Sequence, residues 1–455
     1  MATTIHFNDV LRLAALSLRH PELQAAQPAA RVIRDVYGRI RFALDCPQAD
    51  YPAAAFALLE QAQAGVGPYA TSSEVLTHDS FSNPQAVFGS ADWHRTTVDL
   101  GTDEDGESLG CAEIELLDRQ ITGQDWLRPE PFNAAGHPHR VVFFGLKGGV
   151  GRSTALTMVA WGLARQGKRV LLVDFDLESP GLSGLVLPPE RVADFGLVDW
   201  LVEDAVGQAD TVLPEMVSAS PLGESTTGAV RVAAAMGRKE DDYLAKLARA
   251  YADVPSPQGP QRMGQRMRRL LEQLEAKEQP DVVLIDSRAG LHDLAAVSIT
   301  SLADTALLFA TDSAQTWLGY RQLFTHWQRR PEVASHVRDR LAMVRALTPR
   351  SDREGGVRRF QRQAYELFAE TLYDDIPREP SGMDAQRADE VEYFHPSEQD
   401  EAAPHFPILV DWDDRFQEFD SRLRPEQGGA TEAQIEATFG TLIRWVRQRC
   451  EGDPA

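Results

Sequence analysis

Val141-Val-Phe-Phe-Gly-Leu-Lys-Gly-Gly-Val-Gly-Arg-Ser-Thr154 is the stretch on which the reading of this chain turns. Its first four residues form an unbroken apolar run, as a strand covered on both faces requires. Gly148, Gly149 and Gly151 follow within four positions, and a helical pattern runs from Ser153 to Gln166. A strand, a glycine turn and a helix start in that order have a defined physical use. Glycines let successive backbone N–H groups point inward at an anion, and the helix N-terminus adds partial positive charge. Lys147 to Thr154 therefore reads as a cradle for a phosphate chain. Ser153 offers a hydroxyl to Mg²⁺, and Thr154 offers one near the innermost phosphate.

Two further strands end in acids. Leu171-Leu-Val-Asp-Phe-Asp-Leu-Glu178 places Asp174 and Asp176 just past an apolar strand, and Asp281-Val-Val-Leu-Ile-Asp286 closes another on Asp286. A single strand-terminal aspartate is commonly a helix N-cap. Three such elements in this order point instead to the ligand edge of an open α/β sheet, where strand C-terminal ends gather.

The loop Lys147-Gly-Gly-Val-Gly-Arg-Ser-Thr154 resembles the deviant Walker A motif of MinD/ParA-like P-loop ATPases. The resemblance extends over about Arg140 to Val446. It implies that Lys147, Gly148, Gly149, Val150, Gly151, Arg152, Ser153 and Thr154 bind ATP, with Ser153, Asp174 and Asp286 around Mg²⁺. It also implies that Asp176 positions the attacking water and that Lys147 reaches the phosphates of a partner subunit. Asp176, Lys147 and Arg152 are thus the expected catalytic set. The sequence departs from the family where Leu146 replaces a glycine and Arg152 replaces the second lysine. Arginine keeps the charge but is bulkier and presents a planar fork rather than a point. Binding is expected to survive this change; turnover is the property it puts at issue. Arg288, beyond the third strand, has two readings, an arginine finger or a salt bridge to an acid such as Glu178. The region Met343 to Pro349, where relatives read the base, lacks their asparagine, so adenine is expected from the resemblance alone.

Outside the loop, apolar runs at Arg169–Val173, Val230–Ala235, Asp281–Ile285, Thr305–Phe309, Leu341–Leu347 and Pro407–Val410 alternate with helical patterns. Alternation of this kind predicts a doubly wound α/β domain with a mostly parallel sheet. With 455 residues the chain exceeds one ordinary core. Residues 1–127 read as a small α+β accessory domain, 128–139 as a Pro-rich linker and 140–455 as the ATPase domain. In the first part a helix is expected over Phe7–Leu18, a hairpin over Arg31–Leu44 turning at Tyr37-Gly38, a helix over Pro52–Gln63 and an edge-like strand over Cys111–Leu117. Val32, Ile33, Val36, Ile40 and Phe42 are read as core. Trp126 is assigned either to the linker's docking onto the ATPase or to the first domain's own core.

Charge bounds the partners. Of a net −22, the first 125 residues carry 8 basic and 18 acidic side chains. Both parts repel polyanions on average, which argues against a broad non-specific DNA footprint. Ile435, Phe439, Leu442, Ile443 and Val446 make one apolar stripe that reads as a core-packing helix rather than a membrane anchor. Cys46, Cys111 and Cys450 show no metal-ligand spacing, and with no signal-peptide pattern a cytoplasmic location is expected.

These readings converge on a Mg-ATP-dependent homodimerisation switch, slowly hydrolysing, that passes its state to a protein partner through residues 1–127. A non-hydrolysing nucleotide-gated scaffold and a ParA/MinD-like positioning ATPase on DNA or membrane are the alternatives. Chains with an arginine at this point of the loop also resemble ATPases of bacterial conflict and phage-defence loci.

Overall fold

The computed structural model describes residues 4–70, 72, 74–103, 105–127, 136–239, 242–256, 259–376, 393–417, 419–420 and 429–452. The chain divides into two compact units, Met1–Thr122 and Gly123–Ala455. Most of the sequence-read linker, residues 128–135, lies outside the described residues.

In the first unit, strands β1 (Arg31–Arg34), β2 (Ile40–Ala43), β3 (His94–Asp99) and β4 (Cys111–Asp118) form a sheet of order β2-β1-β4-β3. The hairpin is present. Gly38 takes a φ of +81°, and the Asp35 carboxylate accepts hydrogen bonds from the N–H groups of Tyr37 and Arg39. Cys111–Asp118 is not an edge strand: it pairs parallel with β1 and antiparallel with β3. Its partner β3 escaped the sequence reading because Arg95, Thr97 and Asp99 give its exposed face no apolar signal. Helices Phe7–Leu18 and Ala53–Gly65 cover the core, which contains Val10, Val32, Ile40, Phe42, Leu59 and Leu116. Val36, expected in the core, is exposed in the turn. Gln63 is fully buried, and its amide accepts from Phe42 N at 2.8 Å and donates to Ile40 O at 2.6 Å. A buried amide satisfied at both ends in this way pins a helix to a strand.

The second unit is built on an eight-stranded sheet. Its strands are β5 (His139–Gly145), β6 (Arg169–Phe175), β7 (Val217–Ala219), β8 (Ala229–Ala233), β9 (Val282–Ser287), β10 (Thr305–Ala310), β11 (Leu341–Thr348) and β12 (Ile408–Asp411). They follow the order β12-β11-β10-β5-β9-β6-β8-β7, and every pair is parallel except β7 with β8. The chain fills one side of β5, then crosses to the other at β10. Helices lie on both faces, so the fold is the expected doubly wound α/β sheet.

Period-two alternation sorts the strand residues between two cores. Val142 and Phe144 face one layer with Trp200, Leu270, Tyr320 and Phe360. Val141 and Phe143 face the other, made by the helices Arg152–Arg165 and Glu432–Glu451. The stripe Ile435, Phe439, Leu442, Ile443 and Val446 is buried in that second layer, as a core-packing helix demands. Gly162 makes the approach of the two helices possible, since a Cβ there would lie 2.6 Å from Ile443 Cγ2. Trp126 belongs to the first layer of this unit; its carbonyl accepts the indole N–H of Trp327 at 3.0 Å. No helix among the described residues is long and apolar enough to cross a membrane.

Candidate functional site

The glycine turn that the sequence reading takes for a phosphate cradle lies where β5 ends. Gly149 and Gly151 have φ of +76° and +77°, in the left-handed region that disfavours side chains. A Cβ on Gly148 or Gly149 would meet nothing within 4 Å, so both positions border open space. Gly151 caps the helix Arg152–Arg165 with no side-chain bond to its first N–H groups. Those donors are left for a ligand. The segment after β9 is tied to the end of β5 through Gly290, whose N–H donates to Gly145 O at 3.1 Å.

Adjacent strands bring the acids together. Asp174 and Asp286 are direct register partners on β6 and β9, which forces two carboxylates side by side. Asp174 is fully buried and accepts from Asp176 N at 3.1 Å and Leu182 N at 3.2 Å, so it holds the following loop in shape. Burial, reinforced by the charge on Asp286, drives its carboxyl well above the usual range. Asp176 is also raised by burial, against a partial offset from Arg152.

Arg152 is the cation of this cluster. Its Nε donates to Asp286 at 2.6 Å and its Nη2 to Asp176 at 3.1 Å. Burial opposes its charge, but the two carboxylates outweigh burial and raise its pKa further. Lys147, by contrast, is exposed and bonds the Gln315 side chain. Arg288 forms the salt bridge to Glu178, which Tyr251 also bonds and which His292 approaches at 3.5 Å. Tyr243 donates to Leu177 O at 2.6 Å. The loop after β6 is thereby tied to the segment after β9.

A cavity of about 210 Å³ opens from Gly149, Gly151 and Thr154. Its other walls are Leu347, Val410 to Asp413, Phe416, Gln417, Thr438 and Phe439. Of the region expected to read the base, only Leu347 reaches it. The sequence reading missed the wall at 410–417 because these residues end a short strand and form the loop after it and carry no motif. The one available signal was the aromatic pair Trp412 and Phe416 directly after that strand.

Among the described residues no three His, Cys, Asp or Glu side chains are grouped as a metal-binding set. A phosphate-borne magnesium does not need one, because it keeps several waters and takes one or two carboxylates plus phosphate oxygens. Asp286, Ser153 and the open glycine turn fit that demand, and the buried Ser287 hydroxyl beside Asp286 has no hydrogen-bond partner.

With this geometry in place, residues 141–305 match the CobQ/CobB/MinD/ParA nucleotide-binding domain. The chain therefore carries a nucleotide-binding domain of the MinD/ParA kind. It is 46% identical over 55 residues to the cytosolic Fe-S cluster assembly factor NUBP2 of Mus musculus, which covers 12% of this chain and 20% of that protein. The chain thus spans about a fifth of the length of this curated relative. Among solved structures it is similar to pNOB8 ParA bound to nonspecific DNA (19% identity, TM-score 0.41, covering 70% of this chain and 99% of that one). It is also similar to the MinD cell division protein of Aquifex aeolicus (15% identity, TM-score 0.37, covering 68% and 97%).

Proposed function

We propose that this protein binds Mg-ATP at the β5 turn, dimerises in response, and slowly hydrolyses the nucleotide to reverse the change. The observation that carries the reading is the open glycine turn, which leads into Arg152 on Asp286 and Asp176 and whose Gly149 and Gly151 line the cavity at Leu347 and Phe439. A triphosphate laid along the turn would place its base in the cavity and its terminal phosphate near the acids.

Bound magnesium would neutralise phosphate charge, held by Ser153 and Asp286. Hydrolysis is then mainly positioning and charge compensation. Asp176 aligns the attacking water, and its raised pKa suits it to take up a proton. Arg152 exchanges its carboxylates for phosphate oxygens. Lys147, exposed beside the loop, crosses to the phosphates of a second copy. Residues 1–122 select the protein that senses the dimer.

Light scattering on purified protein tests this. The mass should double with Mg²⁺ and a non-hydrolysable ATP analogue, and Lys147→Ala should remain a monomer that still binds the analogue. A wild-type monomer under every nucleotide condition would sink the dimer. A second reading, a nucleotide-gated scaffold without turnover, is favoured by the Arg152 fork onto Asp176. Phosphate release at background, unchanged in Asp176→Ala, would select it.

A further inference from the structure

The guanidinium of Arg152 bonds two carboxylates that arrive from different strands, Asp286 on β9 and Asp176 just past β6. An ammonium is a compact point charge on a flexible stem; a planar fork spans two acids at once from one fixed position. The Asp286 end of the fork is dry, and the Asp176 end is partly exposed. The Arg152 and Asp286 side chains are 9% and 2% exposed, and that of Asp176 is 14% exposed. Asp174 already receives two backbone N–H groups. Lys147 is engaged by Gln315 and Arg288 by Glu178. Among the described residues, Arg152 is thus the cation in ion-pair contact with Asp286 and Asp176.

We propose that Arg152 is an internal counter-ion that keeps divalent metal out of the nucleotide-free site, so that metal enters only with a polyphosphate that draws the guanidinium away. While the fork is closed, an incoming dication meets a fixed positive charge within a few ångströms and finds one oxygen of each carboxylate, Asp286 Oδ1 and Asp176 Oδ2, already engaged. Phosphate oxygens reverse both conditions. They offer the guanidinium an equivalent bidentate partner and release the two carboxylates to face the metal. Nucleotide and metal then bind as one event rather than in sequence. The inference rests on the nucleotide-binding reading only for this last step.

Mn²⁺ titration followed by electron paramagnetic resonance tests it on the full chain. The nucleotide-free wild type should take up no stoichiometric Mn²⁺, and should take up one ion per chain with a non-hydrolysable ATP analogue. Arg152→Met should gain an Mn²⁺ site without nucleotide, at least about tenfold tighter than anything in the wild type, as removal of a fixed charge at this distance requires. The gain should vanish in Arg152→Met combined with Asp286→Asn, which separates the site from the acidic surface. Should Arg152→Met fail to fold by circular dichroism, Arg152→Gln serves in its place, since it too removes the fixed charge and keeps a polar side chain. Tight stoichiometric uptake by the nucleotide-free wild type, or no gain in any folded Arg152 variant, overturns the proposal. If the wild type binds no nucleotide, the proposed function fails, while the nucleotide-free comparison still decides the role of Arg152.

Discussion

At the scale of single residues, Asp174 and Asp176 differ in what they touch. Asp174 is consumed by backbone N–H groups and shapes a loop, whereas Asp176, two residues on, is half-buried and faces the cluster. Asp176→Asn should therefore lower phosphate release by roughly 100-fold or more, with nucleotide affinity changed little; single-turnover kinetics and fluorescent-nucleotide titration would show the split. Equal losses in both would mean that Asp176 holds the ligand rather than the water. Glu178 is a positioning residue, since it gathers Arg288, Tyr251 and His292. Removing its charge in Glu178→Gln should free Arg288 and loosen the segment after β9. Amide exchange at residues 288–292 should rise in the nucleotide-free protein, and unaltered protection there would exclude the coupling.

At the scale of elements, packing sets the tolerances. A Cβ at Gly162 would press on the branched Ile443 side chain. Gly162→Ala gains about 1 kcal/mol of helix propensity but costs about 1–3 kcal/mol of overpacking. A net fall in stability is expected in urea unfolding, reversed when Ile443→Ala is added; an unrescued double variant would contradict this contact. The buried His405 behaves differently. Burial pushes the His405 imidazole below its usual value, where Tyr373 Oη and His405 Nδ1 lie 2.6 Å apart. A depressed folded pKa means the unfolded chain binds the proton more readily. The stability it confers is present above about pH 6.5 and is lost as pH falls through the folded value. Melting temperature should drop on acidification from pH 7 to 5, and His405→Gln should flatten part of that slope.

The same scale explains what could be read in advance. Strands with apolar runs, such as Val141–Phe144 and Asp281–Ile285, announce themselves because burial on both faces leaves no polar positions. The glycine turn was legible since conformations at positive φ restrict residue choice. By contrast β3 and β7 lie at sheet margins, where half the side chains meet water and the signal dilutes. Arg152 was visible as a substitution but not as a fork, because its partners lie 24 and 134 residues away along the chain. The pocket wall at 410–417 was opaque for a similar reason: proximity to Gly149 is made by sheet order, not by spacing.

At the scale of the molecule, one buried ion pair lies well away from the glycine turn. At the strand end remote from the cradle, Arg140 bonds Glu275 through two contacts of 2.7 and 2.8 Å, both side chains nearly inaccessible. Breaking such a pair strands the remaining charge in a dry site, at about 3–5 kcal/mol. Arg140→Met should lower the urea midpoint of the second unit accordingly, and Arg140→Met with Glu275→Leu should recover most of the loss. Recovery no better than the single variant would mean that the pair does more than neutralise itself.

The wall contributed by Phe439 has an implication for biosynthesis. One side of the cavity is supplied by Gly149 and the other by a helix almost three hundred residues later in the chain. A nascent polypeptide halted between Thr154 and Glu432 would own the glycine turn yet lack the wall supplied by Thr438 and Phe439. Nucleotide capture therefore has to wait until translation of that helix is complete, and stalled chains of graded length, probed with a photoreactive analogue, should label only once it has left the ribosome.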